Sequence, residues 1–411
     1  MEVINTLFII GAVIIVGLLA QFIFKKTRIP DVLLLMIFGA LLSHFGLIDG
    51  FNKNSEGLIF FIMFSLIYVV FYGALSIRLN ALFSTMKYAF FSSILNFVII
   101  TAFLGLIARL IGFDWILAFS LGALFCVLDG SIINGLLECL KMSNRGKAQI
   151  QTESSIVDIL VIVGILSLIN FSMIGFDNLL KNLIYYLFLS FGIGLIVAII
   201  WAFILKHLGH YSSAPISTMA LLVMLYAFAE YIGANGVITI FSFSIILGNV
   251  TLWSRLLYKD QKESLSVLNF HTKSFFKDIS FLIRTFLFVY LGILVDINQW
   301  PYLLVGLSFF LFAYMIRSII LRVVENKELT KKDLHFLDAI NIKGITPIVL
   351  LAVIINNTSF ANIVIGGIIA SIFISSILIL FAGKNRYKSF GEYLIRRREV
   401  VFKKEEKIES L

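Results

Sequence analysis

Long apolar runs separated by short polar interruptions make up almost the whole chain. Thirteen runs stand out, at roughly residues 3–23, 30–48, 57–76, 88–110, 114–140, 153–174, 182–205, 214–231, 233–250, 275–296, 301–321, 336–356 and 360–382. As helices, about 20 residues suffice to cross a hydrocarbon core about 30 Å thick. The pattern therefore predicts an all-α polytopic membrane protein with about thirteen transmembrane helices. The first run opens on Met1 and Glu2 without a basic leader or a small-residue cleavage site, so it is expected to be a retained span.

Composition agrees with that solvent. Of the 411 residues, 60% are hydrophobic and only 14% charged, and the mean hydropathy is +1.01, values that exclude an ordinary water-soluble domain. The net charge of +9 needs no nucleic acid, because the bases sit mostly in alternate loops, with Lys53, Arg109 and Lys181 the main exceptions. Lys25, Lys26 and Arg28 follow the first span, Arg78 and Lys87 the third, and Lys141, Arg145 and Lys147 the fifth. Arg255, Lys259, Lys262, Lys273 and Lys277 follow the ninth, and Arg322, Lys327, Lys331 and Lys332 the eleventh. Lys and Arg accumulate in cytoplasmic loops, which predicts an N-terminus outside and a C-terminus inside. The transmembrane domain is expected over 1–383, and 384–411 as a basic cytoplasmic tail facing solvent or lipid headgroups.

Little here suggests an enzyme or a resident cofactor. No His and Cys cluster has metal-ligand spacing, and no phosphate loop or catalytic serine triad is visible. Cys126 and Cys139 fall in one span, about 20 Å apart along a helix, too far for a disulfide.

Thirteen spans permit two six-helix units, about 3–174 and 214–382, joined by a linking helix at 182–205. The first unit would enter from outside and the second from inside, the inverted-repeat plan of many secondary transporters. Both fifth helices are interrupted: one at Leu128, Asp129, Gly130 and Ser131, the other from Lys343 and Gly344 to Thr346 and Pro347. Breaks in a membrane helix free backbone groups that a cavity, water or side chains must satisfy. The expectation is a pair of crossed discontinuous helices, each carrying a charge.

Ionisable groups inside spans cost from about 2.5 to more than 10 kcal/mol at the bilayer centre and mark ion or proton paths. Counted along the helical rise from the cytoplasmic ends, Asp129 lies about 16 Å deep, Asp158 about 8 Å, Lys343 about 10 Å and Arg284 about 13 Å. Ser154 and Asp158 are i,i+4 neighbours on one helix face, which sets a hydroxyl one turn from a carboxylate, a pair suited to a hard cation such as sodium. Glu153 is turned about 140° from Asp158 and faces another helix. Arg284 has no acid three or four positions away, and Glu153 is its expected partner, in a fixed ion pair.

At these residues the chain resembles the sodium/proton exchangers of the monovalent cation:proton antiporter superfamily, over nearly its whole length. The stretch from Lys26 to Asp31 looks like the family's first cytoplasmic turn, the break at Asp129 its Thr-Asp-Pro break, and Glu153 to Asp158 its Glu-Ser-x-x-Asn-Asp signature. Phe281 to Asp296, with Arg284, looks like its tenth helix, and Lys343-Gly344 its Arg-Gly stretch. The resemblance implies that Asp158 binds cation and proton in alternation, with Ser154 as a hydroxyl ligand and sodium held at both. It implies that Asp129 balances the ends of the broken helices and joins the site through water, that Glu153 and Arg284 brace the moving bundle, and that Lys343 is a base near the second break. It also implies a six-helix core rocking against a scaffold, a homodimer, and transported sodium and proton in place of any cofactor.

Three positions depart from the family pattern. Val157 stands where an Asn or Asp is usual, Leu128 replaces a Thr, and Gly130 replaces a Pro. The Leu128 carbonyl remains available as a ligand. One titratable carboxylate at the site implies one proton per sodium and electroneutral exchange, of sodium or lithium. Two other classes stay open at this point: a proton-independent channel or non-transporting regulator on the same fold, and an organic-anion carrier using Lys343.

Overall fold

The computed structural model describes residues 2–27, 31–46, 56–75, 79–140, 142–174, 179–208, 213–250, 270–295, 297–324, 329–354 and 358–384. The loop bases Arg28, Arg78, Lys141, Arg255, Lys259, Lys262 and Lys327 and the tail beyond Lys384 lie outside them, as does the side chain of Cys139. Every described element is helical. In order they are α1 (Glu2–Thr27), α2 (Asp31–His44), α3 (Glu56–Leu75), α4 (Leu79–Ile111), α5 (Trp115–Leu124), α6 (Gly130–Cys139), α7 (Asn144–Ile174) and α8 (Leu179–Leu208). Then follow α9 (Ala214–Tyr231), α10 (Gly236–Gly248), α11 (Phe270–Leu294), α12 (Trp300–Val323), α13 (Lys331–Ala339), α14 (Ile345–Ile354) and α15 (Thr358–Lys384).

Each apolar run is matched by a helix, and the fifth and twelfth by two. Among the described residues, eight helices are long and apolar enough to cross a membrane alone. Their outer faces carry Phe8, Leu110, Phe188, Met224 and Val323 in the open, side chains that suit hydrocarbon as a neighbour. Helix starts follow local chemistry. Asn235 caps α10 by accepting from the Ile238 N–H at 3.1 Å, Pro215 enters α9 at its first turn, and Thr330 and Asp333 form a reciprocal capping box on α13.

Packing runs α2 on α11, α3 on α10, α4 on α5 and α7, and α12 on α15. Without a hydrophobic force between helices in lipid, close approach relies on small residues. Gly39 on α2 and Gly292 on α11 are such a pair: a Cβ on either would collide with the other helix's backbone, at the Val289 and Met36 carbonyls. One polar staple ties the α6–α7 connection to α13. The buried Asp333 carboxylate, ahead of the apolar run at 336–356, accepts from the Ser143 N–H at 2.9 Å, the Ser143 hydroxyl at 2.8 Å and the Thr330 hydroxyl at 2.7 Å. Burial pushes this carboxyl up, but those hydrogen bonds outweigh it and hold it below the ordinary carboxylate range.

Candidate ion site at the crossed broken helices

Residues 125–129 interrupt the fifth span between α5 and α6, and 340–344 interrupt the twelfth between α13 and α14. Both breaks are almost wholly buried, Leu128 included, so their freed backbone groups need partners inside the protein. They find some in each other: the Asp129 N–H donates to the Ile342 carbonyl at 2.9 Å. The Asp129 carboxylate then caps both inner half-helices. One oxygen accepts from the Ile132 N–H in the first turn of α6 at 3.0 Å, the other from the Ile345 N–H that opens α14 at 2.7 Å. A helix N-terminus carries about half a positive charge, so one carboxylate between two N-termini offsets both.

Gly344 is what lets Asp129 reach α14, because a Cβ there would overlap the Asp129 carboxylate. Gly344→Ala should therefore drive that carboxylate off its second cap, at an overpacking cost of about 1–3 kcal/mol. A lowered melting temperature of the purified protein in detergent checks this; an unchanged one counts against it.

Lys343, in the same break, does not face an interface. It is only 2% exposed; its Nζ donates to the Asn341 Oδ1 at 2.8 Å, and its N–H donates to the Ser371 hydroxyl on α15 at 3.0 Å.

Asp158, on α7, lines a cavity of about 30 Å³ between α3, α7, α10 and the start of α14. That is room for one or two water-sized bodies. Its Oδ1 is buried with no hydrogen-bond partner. Thr346, on α14, lies on the same cavity wall within hydrogen-bonding reach of the carboxylate, and Asp129 lies close enough for its charge to act on it. Ser154 is placed differently from the expectation. Its hydroxyl donates back to the Gln151 carbonyl at 3.0 Å and rests against Gly130, while Ser155 and Thr346 are the hydroxyl residues on the cavity wall.

The expected Glu153–Arg284 pair is corrected by the packing. Arg284 on α11 reaches Asp31 at the start of α2, at 2.7 Å; α11 lies against α2. Glu153 turns to α12 instead, where Arg317 approaches both its oxygens, Nε at 3.0 Å and Nη2 at 3.1 Å. The same guanidinium donates through Nη1 to the Leu337 and Ile340 carbonyls, at 2.8 and 3.0 Å, at the C-terminal end of α13. A planar donor fork suits that double task, and a cation is favoured at a helix C-terminus. Asn96 on α4 adds a hydrogen bond to Glu153 at 3.3 Å. The signal for Arg317 was present in the sequence, as a lone cation inside the apolar run 301–321; Asp31, at the mouth of the second run, was a weaker one.

Broken helices that cross inside an all-helical membrane protein, with one carboxylate on their ends and another over a small cavity, form the architecture of secondary transporters. The family model described as "Sodium/hydrogen exchanger, transmembrane" matches residues 10–382, and the chain belongs to that family. It is 23% identical to "Na(+)/H(+) antiporter 1" of Methanocaldococcus jannaschii, over 97% of this chain and 99% of that protein. It is 31% identical to "Sodium/hydrogen exchanger 2" of Arabidopsis thaliana, over a stretch that spans 30% of this chain and 22% of the plant protein. The solved structure of the sodium proton antiporter MjNhaP1 from M. jannaschii at pH 8 has the same fold, with a TM-score of 0.75 over 92% of this chain and 96% of that one, at 20% identity.

Proposed function

We propose that the protein exchanges a monovalent cation, sodium foremost and lithium next, for protons across the membrane by alternating access. The observation that carries this reading is the Asp158 carboxylate: it faces a small cavity, with one oxygen bare of partners, beside two broken helices already neutralised by Asp129. A charge so placed is costly in a membrane unless a cation or a proton sits on it, and competition between the two is exchange. Deprotonated Asp158 takes sodium from one side, with water and the oxygens of the cavity wall completing its shell; Ser154 and the Leu128 carbonyl join it only if the core turns them inward. The loaded core then rocks, releases sodium, takes a proton and returns.

Several contacts support a rigid moving core. The Glu153–Arg317 pair links α7 to α12, with Asn96 of α4 and the end of α13 attached to it, so the brace lies within the broken-helix bundle. Pairings repeat between halves, α2 on α11 answering α10 on α3, and α4 on α7 answering α12 on α15, which supports inverted repeats over 3–174 and 214–382. Orientation with the N-terminus outside and the C-terminus and basic tail in the cytoplasm follows the loop charges, and a homodimer follows the family resemblance. The organic-anion reading is disfavoured because Lys343 is turned onto Asn341 and no base lines the cavity among the described residues.

Acid-loaded proteoliposomes test the proposal. Adding sodium outside should alkalinise the lumen, and the rate should not respond to an imposed membrane potential, since one carboxylate trades one proton for one sodium. Lack of alkalinisation with sodium, lithium and potassium alike overturns exchange; a potential-dependent rate overturns electroneutrality.

A further inference from the structure

We propose that Thr346 is a cation ligand and a determinant of which cation the site accepts, reaching the ion from the second broken span while Asp158 reaches it from α7. The inference rests on the exchange reading above and deepens it, because neither the motif around Asp158 nor the helical spacing on α7 points to α14.

The cavity wall is poor in oxygen. Thirteen residues line it, and only Asp158, Ser155 and Thr346 carry polar side chains. A monovalent hard cation seeks oxygen donors, so whatever occupies the cavity beside Asp158 must use these, backbone carbonyls or water. Thr346 is the better placed of the two hydroxyl residues. It is buried, 4% exposed, and lies on the cavity wall within hydrogen-bonding reach of the carboxylate, whereas the Ser155 hydroxyl donates to the Gln151 carbonyl at 3.0 Å. A hydroxyl has one proton to donate and two lone pairs. With the proton engaged on Asp158, the lone pairs stay available to an ion.

Position on α14 counts against a cation, since a helix N-terminus repels positive charge. Asp129 removes that objection, because its carboxylate sits on the Ile345 N–H, one residue before Thr346, at 2.7 Å. Threonine is also restricted about χ1, so its oxygen has few positions open to it beside Asp158. A cavity of about 30 Å³ with oxygens fixed on two separate elements suits a small ion that keeps a water or two, and discriminates by ion size.

The test is cation-dependent thermal stabilisation of the purified full-length protein in detergent, with sodium chloride and lithium chloride as probes, alongside exchange in proteoliposomes. Wild type should melt higher with sodium, saturably. Thr346→Val keeps the shape and removes the oxygen, and should need at least about tenfold more sodium for half-maximal stabilisation, with the Michaelis constant for sodium rising in parallel. Thr346→Ser restores the oxygen on a looser side chain; it should recover most of the sodium affinity while changing the sodium-to-lithium ratio. A Thr346→Val protein with a lower melting temperature but an unchanged sodium midpoint would show a packing role only and overturn the proposal. Should Thr346→Val fail to fold, Thr346→Ser decides: an altered ratio upholds the assignment, and an unaltered ratio and midpoint overturn it. Wild type with neither sodium stabilisation nor exchange overturns the exchange reading itself, and the ligand assignment falls with it.

Discussion

Asp158→Asn is expected to reduce cation-driven proton movement to the level of empty liposomes while leaving the protein folded. The two halves of that statement have separate causes. Asparagine fills nearly the same volume and can still accept the Thr346 hydrogen bond, so the cavity wall survives. What it lacks is a charge for the cation to neutralise and a site for the proton that replaces it. The bare, buried Oδ1 of Asp158 is tolerable in a membrane only when cation or proton is present, and the amide needs neither. The melting temperature should therefore stay within a few degrees of wild type and lose its dependence on sodium. Transport by Asp158→Asn at the wild-type rate would remove this residue from the role and point to Asp129 as the carrier.

The second large effect is structural. Arg317→Met should destabilise the protein by about 3–5 kcal/mol, the usual cost of stripping a buried charge of its partner. Glu153 is fully buried and Arg317 2% exposed, so water cannot replace the lost contact. The substitution also leaves the Leu337 and Ile340 carbonyls without the donors they now have from Nη1. The melting temperature in detergent reads the loss. The double variant Arg317→Met with Glu153→Gln should recover part of it, because the glutamine no longer carries an uncompensated charge. If Arg317→Met melts with wild type, the pair does not brace the core; if the double variant is no better than the single, the cost lies in the α13 carbonyls.

Asp31 and Arg284 differ from that pair in an instructive way. They join α2 to α11 outside the broken-helix bundle, where Gly39 and Gly292 bring the two backbones together. Depth alone put Arg284 among the site charges, and depth was a poor guide to partnership. Helices that lie at the same level in a membrane can belong to different bundles, and only lateral packing separates them. The same limit applies to Ser154. Its i,i+4 relation to Asp158 was legible, but a serine hydroxyl can donate to a carbonyl three or four residues back, and which hydroxyl lines the cavity depends on how α7 is turned toward α3, α10 and α14.

Some features of this protein were written locally. Apolar runs long enough to cross hydrocarbon must become helices, because lipid offers no partner for a free backbone group; the spans were thus legible from residue order. So were the breaks, since glycine and proline beside a charge at matching places in the two halves leave backbone groups that a continuous membrane helix would not, and so was Asp158, an acid too costly to bury without a use. Tertiary structure decided the partners. Glu153 found Arg317 rather than Arg284, across 164 positions of chain, Asp129 came to cap a helix 216 positions away, and Thr346 came to rest on Asp158. Helical period fixes which residues share a face of one helix, but it carries no information on which other helix that face meets.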